Sequence, residues 1–141
     1  MLSQTAEYAL RAAVYLAELH GSGPTRVDDI AEGLGVPRNY LSKILHTLAK
    51  AGLLSSTRGP SGGFELVRPP GETPLLDVVR HFDPALASES SACLLGREAC
   101  RDDDPCGAHE RWGSVRRQVQ SFFEDTTLAH LVTREPATRT G

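Results

Sequence analysis

No apolar stretch of this 141-residue chain approaches the ~20 residues of a membrane span. The opening Met1-Leu-Ser-Gln-Thr-Ala-Glu-Tyr8 has neither the basic start nor the apolar run of a signal peptide, which predicts a cytoplasmic protein with no membrane partner. Internal repeats and low-complexity blocks are missing. So are a phosphate-cradling glycine loop between strand and helix, paired carboxylates in a plausible cleft and a convincing nucleophile–base pair, and Cys-x-x-Cys does not occur. These absences argue against an enzyme. Acidic residues are missing over one long interval: none lies between Glu32 and Glu65, while Arg38, Lys43, Lys50 and Arg58 fall inside it. The net charge of −3 therefore conceals a basic segment, to be weighed against an ordinary solvated surface with chance clustering.

Cysteine is confined to one place. Cys93, Cys100 and Cys106 are the only three, all in a short polar stretch, with His109 close behind and Asp102, Asp103 and Asp104 between the last two. A reducing compartment and an odd count disfavour a stable disulfide. Thiolates hold both iron-sulfur clusters and zinc, and Gly96, Pro105 and Gly107 let the backbone turn them inward. On the residues alone, zinc in a Cys-Cys-Cys-His site and an iron-sulfur cluster rank level.

Hydrophobic periodicity orders the rest. Ala6, Leu10, Ala13 and Ala17 recur at helical steps between Ser3 and His20. Gly21-Ser-Gly-Pro24 ends that helix. Thr25 with Asp28 forms a capping-box pattern for a short second helix through Val27, Ile30, Ala31 and Leu34, closed by Gly33 and Gly35. Pro37 suits the first turn of a third helix, whose buried stripe is Leu41, Ile44, Leu45 and Leu48. Two strand-like runs follow, Leu53 to Thr57 and Phe64 to Arg68, around the glycine-rich tip Arg58-Gly-Pro-Ser-Gly-Gly63. Thr73 and Pro74 then start a helix through Leu75, Leu76, Val78 and Val79 to Phe82. Beyond the cysteines, Trp112, Val115, Val119 and Phe122 form a heptad-like seam that calls for a partner helix or for packing on the chain's own domain.

Helix, tight turn, helix and glycine-tipped hairpin is the order of a winged helix-turn-helix: mainly α with a small β-wing and a long C-terminal dimerisation helix. The expected division is a DNA-binding domain over 1–85, a cysteine-rich loop over 86–108, a dimerisation helix over 109–132 and a frayed tail over 133–141. Candidate DNA contacts are Arg38, Asn39, Tyr40, Ser42 and Lys43 at the start of the third helix, with Arg58, Ser61 and Gly62 in the wing. Arg and Asn match guanine and adenine edges; Tyr, Ser and Lys grip phosphate; wing glycines let backbone amides approach it. The same fold also serves as a protein-interaction module.

Ser3 to Arg11, Ile30 to Leu45 and Gly59 to Phe64, taken with the three-cysteine loop, resemble the bacterial winged-helix iron-sulfur transcription regulators that include IscR and the nitric-oxide-sensitive repressor NsrR. The similarity spans roughly residues 1 to 130. It implies a homodimer on a palindromic double-stranded DNA operator, with the Trp112 to Phe122 seam as the dimer contact and operator binding controlled by an iron-sulfur cluster that senses redox, nitric oxide or cluster status. The 2Fe-2S form is favoured over 4Fe-4S, with zinc, or thiols without metal, as the alternative. Cys93, Cys100 and Cys106 would be three ligands, and the Cys106-Gly-Ala-His109 pattern makes His109 the fourth as in IscR. Glu7 of the partner subunit is the alternative, as in regulators resembling NsrR, although a Glu7–Arg11 helix ion pair would also account for that residue. One departure is visible. Six residues separate Cys93 from Cys100 and five separate Cys100 from Cys106, against five and five in IscR-like loops. His20, His46, His81 and His130 stand outside the ligand spacing and read as structural or surface residues.

Overall fold

The computed structural model describes residues 2–87, 95 and 106–132. The chain folds as α1 (Gln4–Glu18), α2 (Val27–Leu34), α3 (Arg38–Lys50), β1 (Leu54–Thr57), β2 (Gly63–Leu66), α4 (Leu75–Val79), α5 (His109–Asp125) and α6 (Leu128–Leu131). Single 3-10 turns at Pro70–Glu72 and Pro84–Ala87 flank α4. This is the mainly helical winged helix that the periodicity predicts. The cysteine positions Cys93 and Cys100, and the tail from 133, lie outside the described residues.

The helix α1 starts where Ser3 supplies its side-chain oxygen to the Ala6 N–H at 3.1 Å. Its buried face is Ala6, Ala9, Ala12, Ala13, Leu16 and Ala17, broader than the stripe legible from Ala6, Leu10, Ala13 and Ala17, and Leu10 is only half-buried. Small side chains allow α1 to lie against α3, α4 and α6 at once. Around it Ile30, Leu41, Ile44, Leu45, Leu48, Leu75 and Leu128 are fully buried. Each such side chain contributes roughly 1.5–3 kcal/mol.

Between α2 and α3, Gly35 adopts φ 69°, and its N–H and that of Val36 both reach the Ala31 carbonyl. That left-handed residue closes the first helix and turns the chain into the second. Pro37 stands at the N-cap of α3, one position before the expected first turn. The four residues expected to be its buried stripe are all buried.

The capping box expected at Thr25 does not form. Arg26 is the N-cap of α2 and no side chain caps it. Thr25 instead exchanges two backbone hydrogen bonds with Phe64, at 2.9 and 2.8 Å, which fastens the base of the wing to the start of α2. Pairing both backbone groups to a strand outweighs one side-chain cap, which is worth about 1 kcal/mol. The wing pairs Leu54 with Leu66 and Thr57 with Gly63 in antiparallel register. A Cβ on Gly62 would overlap the Thr57 carbonyl, and one on Gly63 would overlap that of Thr25. Glycine is required at both by close backbone approach.

The C-terminal helix also differs from expectation. Rather than continuing to 132, α5 ends at Asp125, because Thr126 and Thr127 turn back onto the segment before α4. The Leu75 N–H donates to the Thr126 carbonyl at 2.8 Å, and the Leu128 N–H to the Thr73 carbonyl at 3.0 Å. A capping box between Thr127 and His130 then starts α6, and Leu128 enters the core.

Candidate nucleic-acid interface and cysteine site

With Leu41, Ile44, Leu45 and Leu48 facing inward, α3 turns Asn39, Lys43, His46 and Lys50 to solvent along one stripe. Steps of four, three and four residues put them on a single helix face. Asn39 and Lys43 are exposed, as expected of groove-reading side chains. His46 and Lys50 belong to the same stripe but were not among the candidate contacts; the helical spacing from Asn39 was the signal for both.

Arg38 is exposed yet engaged. Its Nε donates to an Asp28 carboxylate oxygen across the turn, and Arg26 stands 3.9 Å from the other oxygen. Exposed pairs of this kind contribute about 0–1 kcal/mol, so DNA can displace the carboxylate at little cost. Tyr40 lies differently. It is half-buried, its hydroxyl shares a hydrogen bond with the Thr5 hydroxyl, and its ring meets Tyr8 edge-on at 5.6 Å. This places it against α1. Ser42 is half-buried beside His46. In the wing, Arg58 and Ser61 are exposed at the tip, whereas Gly62 is buried and donates its N–H to the Gly59 carbonyl at 2.9 Å. Of the three wing candidates, Arg58 and Ser61 are thus the ones presented outward.

Cys106 and His109 are both half-buried and lie together at the start of α5, where the His109 N–H donates to the Cys106 carbonyl at 3.1 Å. Thiolate and imidazole are ligands for an iron-sulfur cluster and for zinc alike, so this pair fits either group. Among the described residues no group of three or more His, Cys, Asp and Glu gathers for a metal ion, Cys93 and Cys100 being outside them.

Glu7 is exposed on α1, at an open groove of about 580 Å³ between α1, the end of α2 and Leu131. The expected alternative for it, an ion pair with Arg11, is not formed. Arg11 donates to the Leu34 carbonyl at 2.8 Å and lies over the Tyr8 ring, 5.5 Å from its centroid. Among the described residues the Glu7 carboxylate has no ion-pair partner. On α5, Phe123 packs into the core and Val119 packs beside it, while Val115 and Phe122 remain 46% and 52% exposed. Trp112 is half-buried. The seam therefore divides between the chain's own core and an open apolar edge.

A reading helix with a polar outer stripe beside a glycine-tipped wing defines a winged-helix DNA-binding regulator of transcription. The chain belongs to the Rrf2 family, whose model, described as an iron-dependent transcriptional regulator, matches residues 2–134. It is similar to the HTH-type transcriptional regulator IscR of Xenorhabdus nematophila, 32% identical over 131 residues that cover 93% of this chain and 78% of the relative. Among solved structures it is similar to CymR, the global cysteine regulator of B. subtilis, at a TM-score of 0.79 and 28% identity over 94% of this chain and 96% of that one. It is likewise similar to IscR of T. potens, at a TM-score of 0.76 and 27% identity over 100% and 93% of the two chains. The family and these relatives are regulators of transcription, not enzymes. No helix among the described residues is long and apolar enough to cross a membrane.

Proposed function

We propose that this chain is a homodimeric regulator whose affinity for a palindromic operator is set by an iron-sulfur cluster bound through Cys93, Cys100, Cys106 and His109. One observation carries the reading: Cys106 and His109 stand at the start of the same helix whose Val115 and Phe122 form an open apolar edge. His109 and the apolar edge thereby share one helix, and Cys106 is tied to its first residue by a backbone hydrogen bond. Residues 1–85 act as the DNA-binding domain, 86–108 as the ligand loop, 109–132 as the dimer segment and 133–141 as a tail. When bound, a cluster supplies an inorganic centre that can be oxidised, nitrosylated or lost. Cys106 and His109 fix the start of α5 while ligated, and their release alters how two heads are spaced over half-sites one DNA turn, roughly 34 Å, apart. His109 is favoured as fourth ligand by its place beside Cys106, while an exposed Glu7 carboxylate from the partner subunit is the alternative.

Arg38, Asn39, Ser42, Lys43, Arg58 and Ser61 are the proposed DNA contacts, while Tyr40, turned against α1, and Gly62, buried in the wing, shape the surface that carries them. Lys43, exposed and without a carboxylate partner among the described residues, is the phosphate contact proposed for the first test. Lys43→Ala should weaken operator binding and reduce the slope of log affinity against log salt by about 1, measured by fluorescence anisotropy over a salt series. An unchanged slope removes Lys43 from the phosphate contacts. For the dimer, Phe122→Asp places a charge in the open apolar edge. The protein should then sediment as a monomer, and a stable dimer would place the interface elsewhere.

The test of the whole reading is anaerobic purification with absorption spectroscopy and iron, sulfide and zinc analysis, repeated for His109→Ala and Glu7→Ala. Visible charge-transfer bands with acid-labile sulfide are expected, and loss of them in one variant names the fourth ligand. Identical operator affinity with and without the cluster would sink the switch. A second reading has the likeness to CymR, named a cysteine regulator, in its favour: a cluster-free thiol or zinc regulator. Colourless, iron-free protein that binds DNA would establish it.

A further inference from the structure

We propose that His46 is a base-reading residue of α3, accepting a hydrogen bond from the exocyclic amino group of a cytosine or an adenine in the major groove. The proposal rests on α3 being the helix that enters the groove. His46 lies three residues beyond Lys43 and seven beyond Asn39, on the same exposed face.

Its chemistry follows from one distance. The ring Nδ1 lies 2.7 Å from the Ser42 carbonyl oxygen. A carbonyl can only accept, so the proton of the neutral ring sits on Nδ1 and the lone pair is left on Nε2. Nε2 has no hydrogen-bond partner among the described residues. The ring is also held from a second direction, meeting the buried Phe64 of β2 edge-on at 5.2 Å and an interplanar angle of 84°. One contact is to the reading helix and the other to the wing, so the acceptor is orientated before DNA arrives.

An acceptor in that position discriminates. Phosphate oxygens are acceptors themselves and make poor partners for a lone pair. In the major groove the donors are the N4 amino group of cytosine and the N6 amino group of adenine, while guanine and thymine present acceptors at the corresponding places. His46 therefore selects against guanine and thymine at the position it faces. Lys43, one turn away, supplies charge without that selectivity.

The experiment is a binding selection from random-sequence duplexes, read by sequencing, with full-length protein purified anaerobically, followed by anisotropy on the winning site. Wild type should prefer cytosine or adenine at one position in each half-site. His46→Ala should lose that preference, weaken binding to the winning site about fivefold, near the low end for one base contact, and leave the salt slope unchanged. His46→Lys, which reaches as far but offers only donors, should move the preference to guanine or thymine. A wild-type preference profile in both variants overturns the assignment, as does a salt slope reduced by about 1 in His46→Ala, which would make the residue a phosphate contact. Lys43→Ala separates the two levels of the argument. If it weakens binding while His46→Ala changes nothing, only the His46 assignment fails; if neither changes binding, α3 is not the reading helix and both fail.

Discussion

Cys106→Ala is expected to abolish cluster incorporation, leaving protein without visible charge-transfer bands or acid-labile sulfide. Of the three cysteines, this is the one whose surroundings are described: half-buried, at the start of α5 and beside His109. Removing one thiolate from a set that holds a cluster leaves too few soft ligands, and methyl cannot replace sulfur. Fold and cluster can be separated here. The contact of Cys106 with α5 described above uses its backbone carbonyl, which alanine retains. Thermal unfolding of the cluster-free variant beside cluster-free wild type measures what the substitution does to the fold apart from the cluster. Operator affinity should differ from that of the loaded protein by roughly 5–150-fold, the range of ordinary coupling between two sites. Full cluster content in Cys106→Ala would remove this residue from the ligand set.

Leu128→Ala should strongly destabilise the fold. Leu128 is fully buried at the start of α6, held there by the hydrogen bond from its N–H to the Thr73 carbonyl. Truncation deletes the buried methyl groups and leaves a void beside α1 and the turn at Pro70–Glu72, which α6 packs against. Such losses cost about 2–5 kcal/mol, and for a chain of this size the melting temperature should fall on the order of 10 °C. Leu131→Ala, at a half-buried position, should cost less. Calorimetry of the two variants checks the ranking. Equal melting temperatures for Leu128→Ala and wild type would mean that the C-terminal return adds nothing to the core.

These two variants probe different kinds of knowledge. The cysteine stretch stands out because cysteine is scarce and chemically distinctive, so its clustering shows against any background. The helix α6 is not legible, because Thr126, Thr127 and Leu128 look like a continuation of α5 until Thr73 and Leu75 are brought beside them. His130 reads as an ordinary residue for the same reason: its part in the capping box exists only once Thr127 has left the helix. Tyr40 illustrates the converse error of emphasis. Its place early in α3 marks it as polar and outward, yet Thr5 and Tyr8 on a helix more than thirty residues earlier draw it inward.

By itself the sequence determined the periodic and the local: the buried stripe of α3, the glycine-closed turn between α2 and α3, the wing between β1 and β2, and the separation of a basic interval from an acidic cysteine stretch. Local chemistry and helical spacing suffice for these, because each depends on residues within a few positions of one another. Tertiary structure alone decided that Thr25 pairs with Phe64 rather than capping α2, that Asp28 holds Arg38, that α5 stops at Asp125, and that the Nδ1 of His46 is committed while its ring rests on the wing. Most of these bring together groups far apart in the chain. Their outcome rests on which long-range partner satisfies a backbone or side-chain group best, and that comparison is made only when the elements pack.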